Sequence, residues 1–131
     1  MEVYEVILTD LSSKEELTIQ VEVDEAEITE NIVIRTIFNE REITSSNYNY
    51  LPAYQEFRDK LLLIGYGIKC NGSRINAVQS GMLGATDKVY LVEIGKQALM
   101  KDIVHIWDYA EIETFPDTKQ QNIFFEQWIK R

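Results

Sequence analysis

Apolar and polar residues alternate along three segments near the amino terminus, and this two-residue period predicts β-strands. The segments are residues 3–9, 17–23 and 31–39, and short polar joints separate them. In the second segment the apolar residues all share one face of an extended chain: Leu17, Ile19, Val21 and Val23. The pattern therefore predicts an antiparallel meander with one buried face. Residues 40–50 are polar and tyrosine-rich, and residues 45–50 are predicted to form a loop.

Two later segments have the three-to-four-residue period of amphipathic helices. The first is predicted to begin near Leu51-Pro52 and to end at Gly65, because proline is tolerated in a first turn and glycine is a common cap residue. Its apolar stripe consists of Tyr54, Phe57, Leu61 and Ile64. Its outer face is assigned to Glu56, Arg58, Asp59 and Lys60. The last helix is predicted from Thr118 to Lys130, with Asp117 as its cap and an apolar face of Phe124, Phe125, Trp128 and Ile129.

The dipeptide Asn71-Gly72 predicts a β-hairpin, because both central residues of a type I′ turn have positive φ. In the resulting register Lys69 lies opposite Arg74. Like charges at directly opposed positions destabilise a strand pair, so this pair needs either an internal carboxylate between its members or a bound anion. An anion site formed by Lys69, Arg74 and Ser80 is the hypothesis that follows from the second option.

The remaining segments complete an α+β fold. Residues 88–94 are apolar on both faces, which favours a central strand, and the run from Ile103 to Trp107 favours a strand over a helix. We therefore predict an antiparallel β-sheet, with an amino-terminal meander and a central hairpin, packed against two α-helices. The length of 131 residues and the apolar share of 45% fit a single α+β domain over residues 1–131.

Two features of the sequence indicate a reducing compartment. The single cysteine, Cys70, excludes an internal disulfide. The first residues are acidic where a secretory signal would be basic, and the longest apolar run, Leu61–Ile64, is far shorter than the roughly 20 residues that span a bilayer. We expect a cytoplasmic protein that does not contact a membrane.

The negative charge of the chain is concentrated in its first third. Residues 1–49 contain twelve acidic and three basic residues, so they account for the whole formal charge of −9. This balance argues against nucleic acid as a partner and favours a basic protein, although a charged face that only keeps the protein soluble is the alternative. The expected partner-binding residues are Glu22, Asp24, Glu25, Glu27 and Glu30, with Tyr48 and Tyr50 as anchors. Both tyrosines have an alternative role, in which they pack against the first helix.

The sequence contains no recognisable catalytic set. One histidine and one cysteine are too few for a structural zinc site, and phosphate-loop and dinucleotide motifs are absent, so we predict no metal and no cofactor. Cys70 and His105 form a nucleophile and base pair only if the fold brings them together. The simpler prediction is that Cys70 is a small buried residue and that His105 is a hydrogen-bonded histidine of the core.

Several short motifs lie in the carboxyl-terminal part: Cys70-Asn71-Gly72-Ser73-Arg74, Ser80-Gly81-Met82, Ile94-Gly95-Lys96, Asp102-Ile103-Val104 and Trp107-Asp108. This pattern, over roughly residues 55–131, resembles that of small bacterial proteins whose related sequences resemble the immunity proteins of toxin systems. No reaction accompanies the resemblance, and the acidic first third has no counterpart in it.

The leading functional hypothesis is therefore a non-enzymatic cytoplasmic inhibitor of the immunity type, which binds a basic toxin or enzyme such as a nuclease through its acidic surface. The alternative is a small anionic-ligand-binding domain or an unrecognised enzyme that uses Lys69, Arg74 and Ser80. A third hypothesis is a structural subunit of a larger assembly.

Overall fold

A computed structural model describes residues 1–130. The strands and helices of this range are β1 (Glu2–Asp10), β2 (Glu16–Glu25), β3 (Ile32–Phe38), β4 (Arg41–Asn47), α1 (Tyr50–Leu63), β5 (Tyr66–Ile68), β6 (Ala77–Val78), β7 (Lys88–Leu91), β8 (Ile103–His105) and α2 (Thr118–Ile129). Short 3₁₀ turns occupy 71–73, 81–83 and 100–102. The α+β class predicted from the sequence is confirmed.

The amino-terminal strands form a curled antiparallel sheet of five strands in the order β4-β3-β2-β1-β5. Because β1, β2 and β3 pair consecutively, the predicted meander is confirmed. The alternation of the sequence determines the two faces: Val21 and Ile34 point inward and are fully buried, whereas Gln20 and Ile37 point outward and are exposed. Helix α1 packs on the inner face.

The polar segment 40–50 contains a strand that was not predicted, because residues Arg41–Asn47 form β4, and the first half of the loop predicted at 45–50 was therefore wrong. The strand pairs with β3 along its whole length, and a two-residue turn joins them. Both turn residues, Asn39 and Glu40, have positive φ (51° and 62°), as a type I′ turn requires. The inner face of β4 includes a buried serine, Ser45, whose hydroxyl donates to the Ala53 carbonyl of α1 over 2.7 Å. A hydroxyl at an inward position conceals the alternation that marks the other strands.

The predicted hairpin at Asn71-Gly72 was also wrong. Neither residue has positive φ, and the strand before them, β5, pairs with β1 instead of with the chain that follows. The Asn71 and Gly72 amides donate to the carbonyls of Asp108 and Ile106 over 2.9 and 3.0 Å, so the 3₁₀ turn is attached to the distant segment after β8. Gly72 is required there for space, since a Cβ atom would lie 2.8 Å from a ring carbon of Tyr54.

The carboxyl-terminal strands form a second antiparallel sheet in the order β6-β7-β8. The central position predicted for the strand at 88–94 is confirmed within this smaller sheet, although β7 ends at Leu91. Strand β8 begins at Ile103 as predicted but ends at His105. Buried residues of both sheets and of α1 form one hydrophobic cluster.

The two helices differ in how they are packed. In α1 the predicted stripe is buried except for Ile64, and Gly65 has φ 95° just after the helix. The outer-face assignment of Arg58 was wrong, because this side chain is completely buried. In α2 the predicted Asp117 cap is confirmed, but Gln121 is the helix's one buried residue within the described range. Neither helix of residues 1–130 has the length and apolar character needed to cross a membrane.

Candidate functional site

The β2–β3 hairpin projects its loop from one end of the larger sheet. Hydrogen bonds from the Ala26 amide to the Asn31 carbonyl (2.9 Å) and from the Glu30 amide to the Ala26 carbonyl (2.8 Å) close this loop. Ile28 lies at its apex with 97% of its surface exposed. Ile28 is the most exposed large apolar side chain among the residues that the structure describes, and its place at the end of a closed loop suits a contact with another molecule.

Four of the five acidic residues predicted to bind a partner surround Ile28: Asp24, Glu25, Glu27 and Glu30. All four are exposed. Among the residues that the structure describes, no lysine, arginine or histidine forms an ion pair with them. We call these four residues and Ile28 the hairpin tip. Its negative potential is therefore not neutralised from within the described chain.

Tyr48 is brought beside the hairpin tip by the pairing of β3 with β4. The last pair of that ladder, Ile32 with Asn47, places the next residue at the same end of the sheet as the loop. A hydrogen bond from Asn31 Nδ2 to Ser46 Oγ (3.2 Å) connects the loop to β4. Tyr48 is 64% exposed, so its ring is accessible next to the carboxylates, as an anchor residue should be.

Two of the predicted partner-binding residues are not part of this surface. The Glu22 carboxylate accepts from Arg35 Nε at 2.8 Å, and this hydrogen bond raises the pKa of Arg35. Tyr50 is only 5% exposed, and Trp107 Nε1 donates to its hydroxyl over 2.8 Å. Burial raises the pKa of Tyr50 to about 12. Tyr50 therefore takes the alternative role predicted for it, as a residue packed within the fold.

The predicted anion site does not form. Lys69 Nζ lies 2.6 Å from Glu16 Oε2 and 3.3 Å from a Glu111 oxygen, and the hydrogen bond with Glu16 raises the pKa of Lys69. Arg74 is not opposite Lys69, and its Nε donates to Asn71 Oδ1 over 3.0 Å. Of the two alternatives for Lys69, a carboxylate of the chain itself or a bound anion, the structure therefore shows the first.

The third residue of the predicted anion site, Ser80, lies in a different cleft of about 240 Å³ between α1, β6 and α2. Arg74 does not line this cleft. The side chains that do are uncharged: Gln55, Gln79, Gln121, Asn122 and Phe125 are among them. A cleft with this lining has no group that would neutralise a phosphate or a carboxylate.

Cys70 and His105 do not form a catalytic pair. The prediction of a buried Cys70 is confirmed: its thiol lies 3.2 Å from the Tyr54 hydroxyl, which is 2.5 Å from Ser73 Oγ, and burial raises the pKa of the thiol. His105 was wrongly expected in the core. Its ring is exposed, and Nδ1 lies 3.1 Å from Asp87 Oδ2. A protonated, inaccessible thiol is a poor nucleophile.

Within residues 1–130, no group of three or more histidine, cysteine, aspartate or glutamate side chains is placed to hold a metal ion. The residue that sequence analysis missed is Ile28, which it treated as part of an acidic connection. The sequence feature that could have identified it is a single apolar, β-branched residue between Glu27 and Glu30, in a segment that lacks the alternation of a strand.

Comparison of the chain with protein-family models and with curated proteins gave no match.

Proposed function

We propose that the protein is a non-enzymatic cytoplasmic inhibitor of the immunity type, which binds a basic toxin or enzyme through the hairpin tip and Tyr48. The observation that carries the proposal is the exposed Ile28 surrounded by four carboxylates that no described cation pairs. The resemblance of the 70–108 motifs to proteins related to immunity proteins supports the same class.

The two components of the surface have different tasks in binding. The carboxylates attract a cationic partner over a distance comparable to the Debye length, about 8 Å at physiological salt, and so accelerate encounter. Ile28 and Tyr48 contribute apolar area after contact; complete burial of an isoleucine side chain is worth about 1.5–3 kcal/mol. Inhibition by this route needs no catalytic residue on the chain, because the bound protein occludes the partner's positive active site.

The proposal is tested by site-specific photo-crosslinking in the cells that produce the protein. A benzophenone amino acid is placed at Ile28 and, as a matched exposed control, at Lys119 on α2. We expect capture of a basic protein from position 28 only. The captured protein is then purified, and its own activity is measured with increasing amounts of the inhibitor.

The second stage compares two triple charge reversals. Asp24→Lys, Glu27→Lys and Glu30→Lys together should weaken inhibition and flatten its salt dependence, whereas Asp108→Lys, Glu113→Lys and Glu126→Lys should leave both unchanged. Both variants must have the circular dichroism spectrum of the wild type. Equal inhibition by the folded tip variant, or equal capture from positions 28 and 119, would refute the proposal.

A further inference from the structure

The β2–β3 ladder ends before the two strands do. Its pairs run from Glu25↔Ile32 to Glu22↔Arg35, and the next two pairs in register, Val21 with Thr36 and Gln20 with Ile37, are not formed. Instead, the Thr36 hydroxyl donates to the Gln20 carbonyl over 2.7 Å. The first half of β2, from Glu16 to Val21, therefore pairs with β1 on one side and has no ladder partner on the other within the described chain.

The neighbouring strands show which peptide groups face this open side. The Lys69 amide donates to the Ile7 carbonyl over 2.9 Å, so the peptide groups of Ile7 point to β5 and away from β2. Ile7 is paired with Thr18, and in an antiparallel ladder such a pair leaves the peptide groups of both residues directed outward. The N–H and C=O groups of Thr18 and the N–H of Gln20 are thus directed to the open side, whereas the Gln20 carbonyl already accepts from the Thr36 hydroxyl.

A groove of about 560 Å³ lies at this fork on the outer face of the sheet. Thr18 and Gln20 line one wall, and Ile37 and Glu42 line the other. Ile37 is 77% exposed, which is atypical for an isoleucine within a paired strand. An unpaired strand edge beside an exposed apolar side chain is the arrangement that peptide-binding domains use to add a strand.

The charge of the groove indicates its occupant. The outward side chains next to the groove include one guanidinium, that of Arg35, and four carboxylates. These are Glu5, Glu22, Asp24 and Glu42. Glu22 pairs with Arg35, and Glu42 and Asp24 lie near enough to raise the pKa of this arginine further. Glu5 and Glu42 have no ion-pair partner among residues 1–130. The groove thus has an excess of negative charge.

We propose that this groove binds an extended, lysine- or arginine-bearing segment of a partner protein, which adds as a strand to the edge of β2 through the N–H and C=O groups of Thr18 and the N–H of Gln20. The alternating side chains of the segment contact Ile37 on one wall and the free carboxylates of Glu5 and Glu42. This inference takes only one point from the proposed function, namely that the partner is a cationic protein. The groove and the loop of the hairpin tip are different parts of the surface.

The test uses the ¹⁵N-labelled full chain and a synthetic ten-residue peptide of alternating lysine and valine with blocked ends. We expect the peptide to slow hydrogen exchange of the Thr18 and Gln20 amides at least ten-fold and to shift the Ile37 resonances. A peptide of the same charge that is N-methylated at every second residue cannot pair along one edge, so it should bind at least ten-fold more weakly.

Variants separate this inference from the proposed function. Glu5→Lys with Glu42→Lys should weaken peptide binding about ten-fold, whereas Glu27→Lys with Glu30→Lys at the hairpin tip should weaken it less than three-fold. If variants of the hairpin tip still inhibit the partner while the peptide still binds the groove, only the proposed function is contradicted.

The inference fails if the shifts occur only at Ile28 and Tyr48, if the N-methylated peptide binds equally well, or if no binding is detected at millimolar peptide. It also fails if Thr18 and Gln20 become protected with rising protein concentration alone, because a second copy of the chain would then be the occupant.

Discussion

The curled sheet and the carboxyl-terminal part of the molecule are stabilised in different ways. In the sheet, the alternation of apolar and polar residues buries one face and leaves most acidic side chains exposed, although Glu16 and Glu22 form ion pairs. In the carboxyl-terminal part, buried polar side chains connect segments that are distant in sequence. The difference shows where charge is dispensable for folding, and hence available for binding, and where a polar group is part of the core.

Gln121 is the centre of the polar contacts in the carboxyl-terminal part. Its Oε1 accepts from Gln55 Nε2 (3.1 Å) and from an Arg58 guanidinium nitrogen (2.7 Å). Its Nε2 donates to the carbonyls of Gly72 and Arg74 over 2.9 and 2.8 Å. One amide thus joins α2 to α1 and to the 3₁₀ turn, in a position that is 2% exposed. Removing it leaves several buried groups without partners, and each such group costs about 1–3 kcal/mol.

The largest predicted effect is therefore that of Gln121→Ala. We expect it to lower the free energy of unfolding by about 3–5 kcal/mol, because the Gly72 carbonyl and the Arg58 guanidinium lose their hydrogen bonds. Urea unfolding followed by circular dichroism measures the difference. Gln127→Ala on the exposed part of the same helix is the control, and it should change stability by less than about 0.5 kcal/mol. Similar losses in the two variants would show that α2 contributes only through helix propensity.

Tyr54→Phe tests the second buried contact of this region. The change removes the hydroxyl that lies 2.5 Å from Ser73 Oγ and 3.2 Å from the Cys70 thiol, in a site that water does not reach. We expect a loss of about 1–3 kcal/mol. Tyr48→Phe is the matched control, because its exposed hydroxyl can bond to water in both states. A loss below about 0.5 kcal/mol for Tyr54→Phe would mean that the cluster is not stabilised by hydrogen bonding.

The same cluster predicts how stability depends on pH. Burial raises the pKa of both the Cys70 thiol and the Tyr54 hydroxyl, so each keeps its proton in the folded chain to higher pH than in the unfolded chain. The unfolded chain begins to release these protons at about pH 8.5 and pH 10, respectively. It then binds fewer protons than the folded chain, and the free energy of unfolding falls as pH rises. Urea midpoints measured from pH 7 to pH 11 should decline, and less steeply in Tyr54→Phe; a flat profile would contradict the burial of these groups.

The predictability of the fold follows the same division. The meander and the apolar stripe of α1 were predictable, because strand and helix periods are local properties of the sequence. The buried roles of Arg58 and Gln121 were not, because nothing near them in sequence indicates partners 60 or more residues away. Asn71-Gly72 has the composition of a hairpin turn, yet its amides bond to the segment at 106–108, and this tertiary contact overrides the local preference.

The candidate site was predictable to a similar extent. The clustering of charge located the hairpin tip, and the acidic loop between two strands had to project from the sheet. The sequence did not reveal that Glu22 pairs with Arg35, because that contact depends on the register between β2 and β3. It also did not reveal that Tyr48 and Tyr50 have opposite exposures, because Tyr48 follows β4 whereas Tyr50 begins α1.

Glu40→Gly tests the turn that the sequence did not show. Glu40 has φ 62°, a left-handed conformation that costs a residue with a Cβ atom roughly 1–2 kcal/mol. Glycine relieves this strain but loses some backbone entropy, so we expect a net stabilisation of about 0.5–1 kcal/mol. Glu40→Gln removes the same charge without relieving the strain and should have a smaller effect. If the two variants gain equally, charge repulsion rather than backbone conformation is the source.

The smallest effect is predicted where the proposed function needs it, at the hairpin tip. Asp24→Asn, Glu27→Gln and Glu30→Gln together remove three exposed charges that have no ion-pair partner within residues 1–130. The Asp24 carboxylate accepts from the Glu25 amide over 2.9 Å, and the asparagine oxygen can accept the same bond. Because no ion pair is broken, the free energy of unfolding should change by about 0.5 kcal/mol or less. Reduced repulsion between the carboxylates makes a small gain the expected direction, and 0.5 M salt should reduce that gain. A loss above about 1 kcal/mol would mean that these carboxylates stabilise the hairpin. Their role in folding would then explain the acidic surface without a partner.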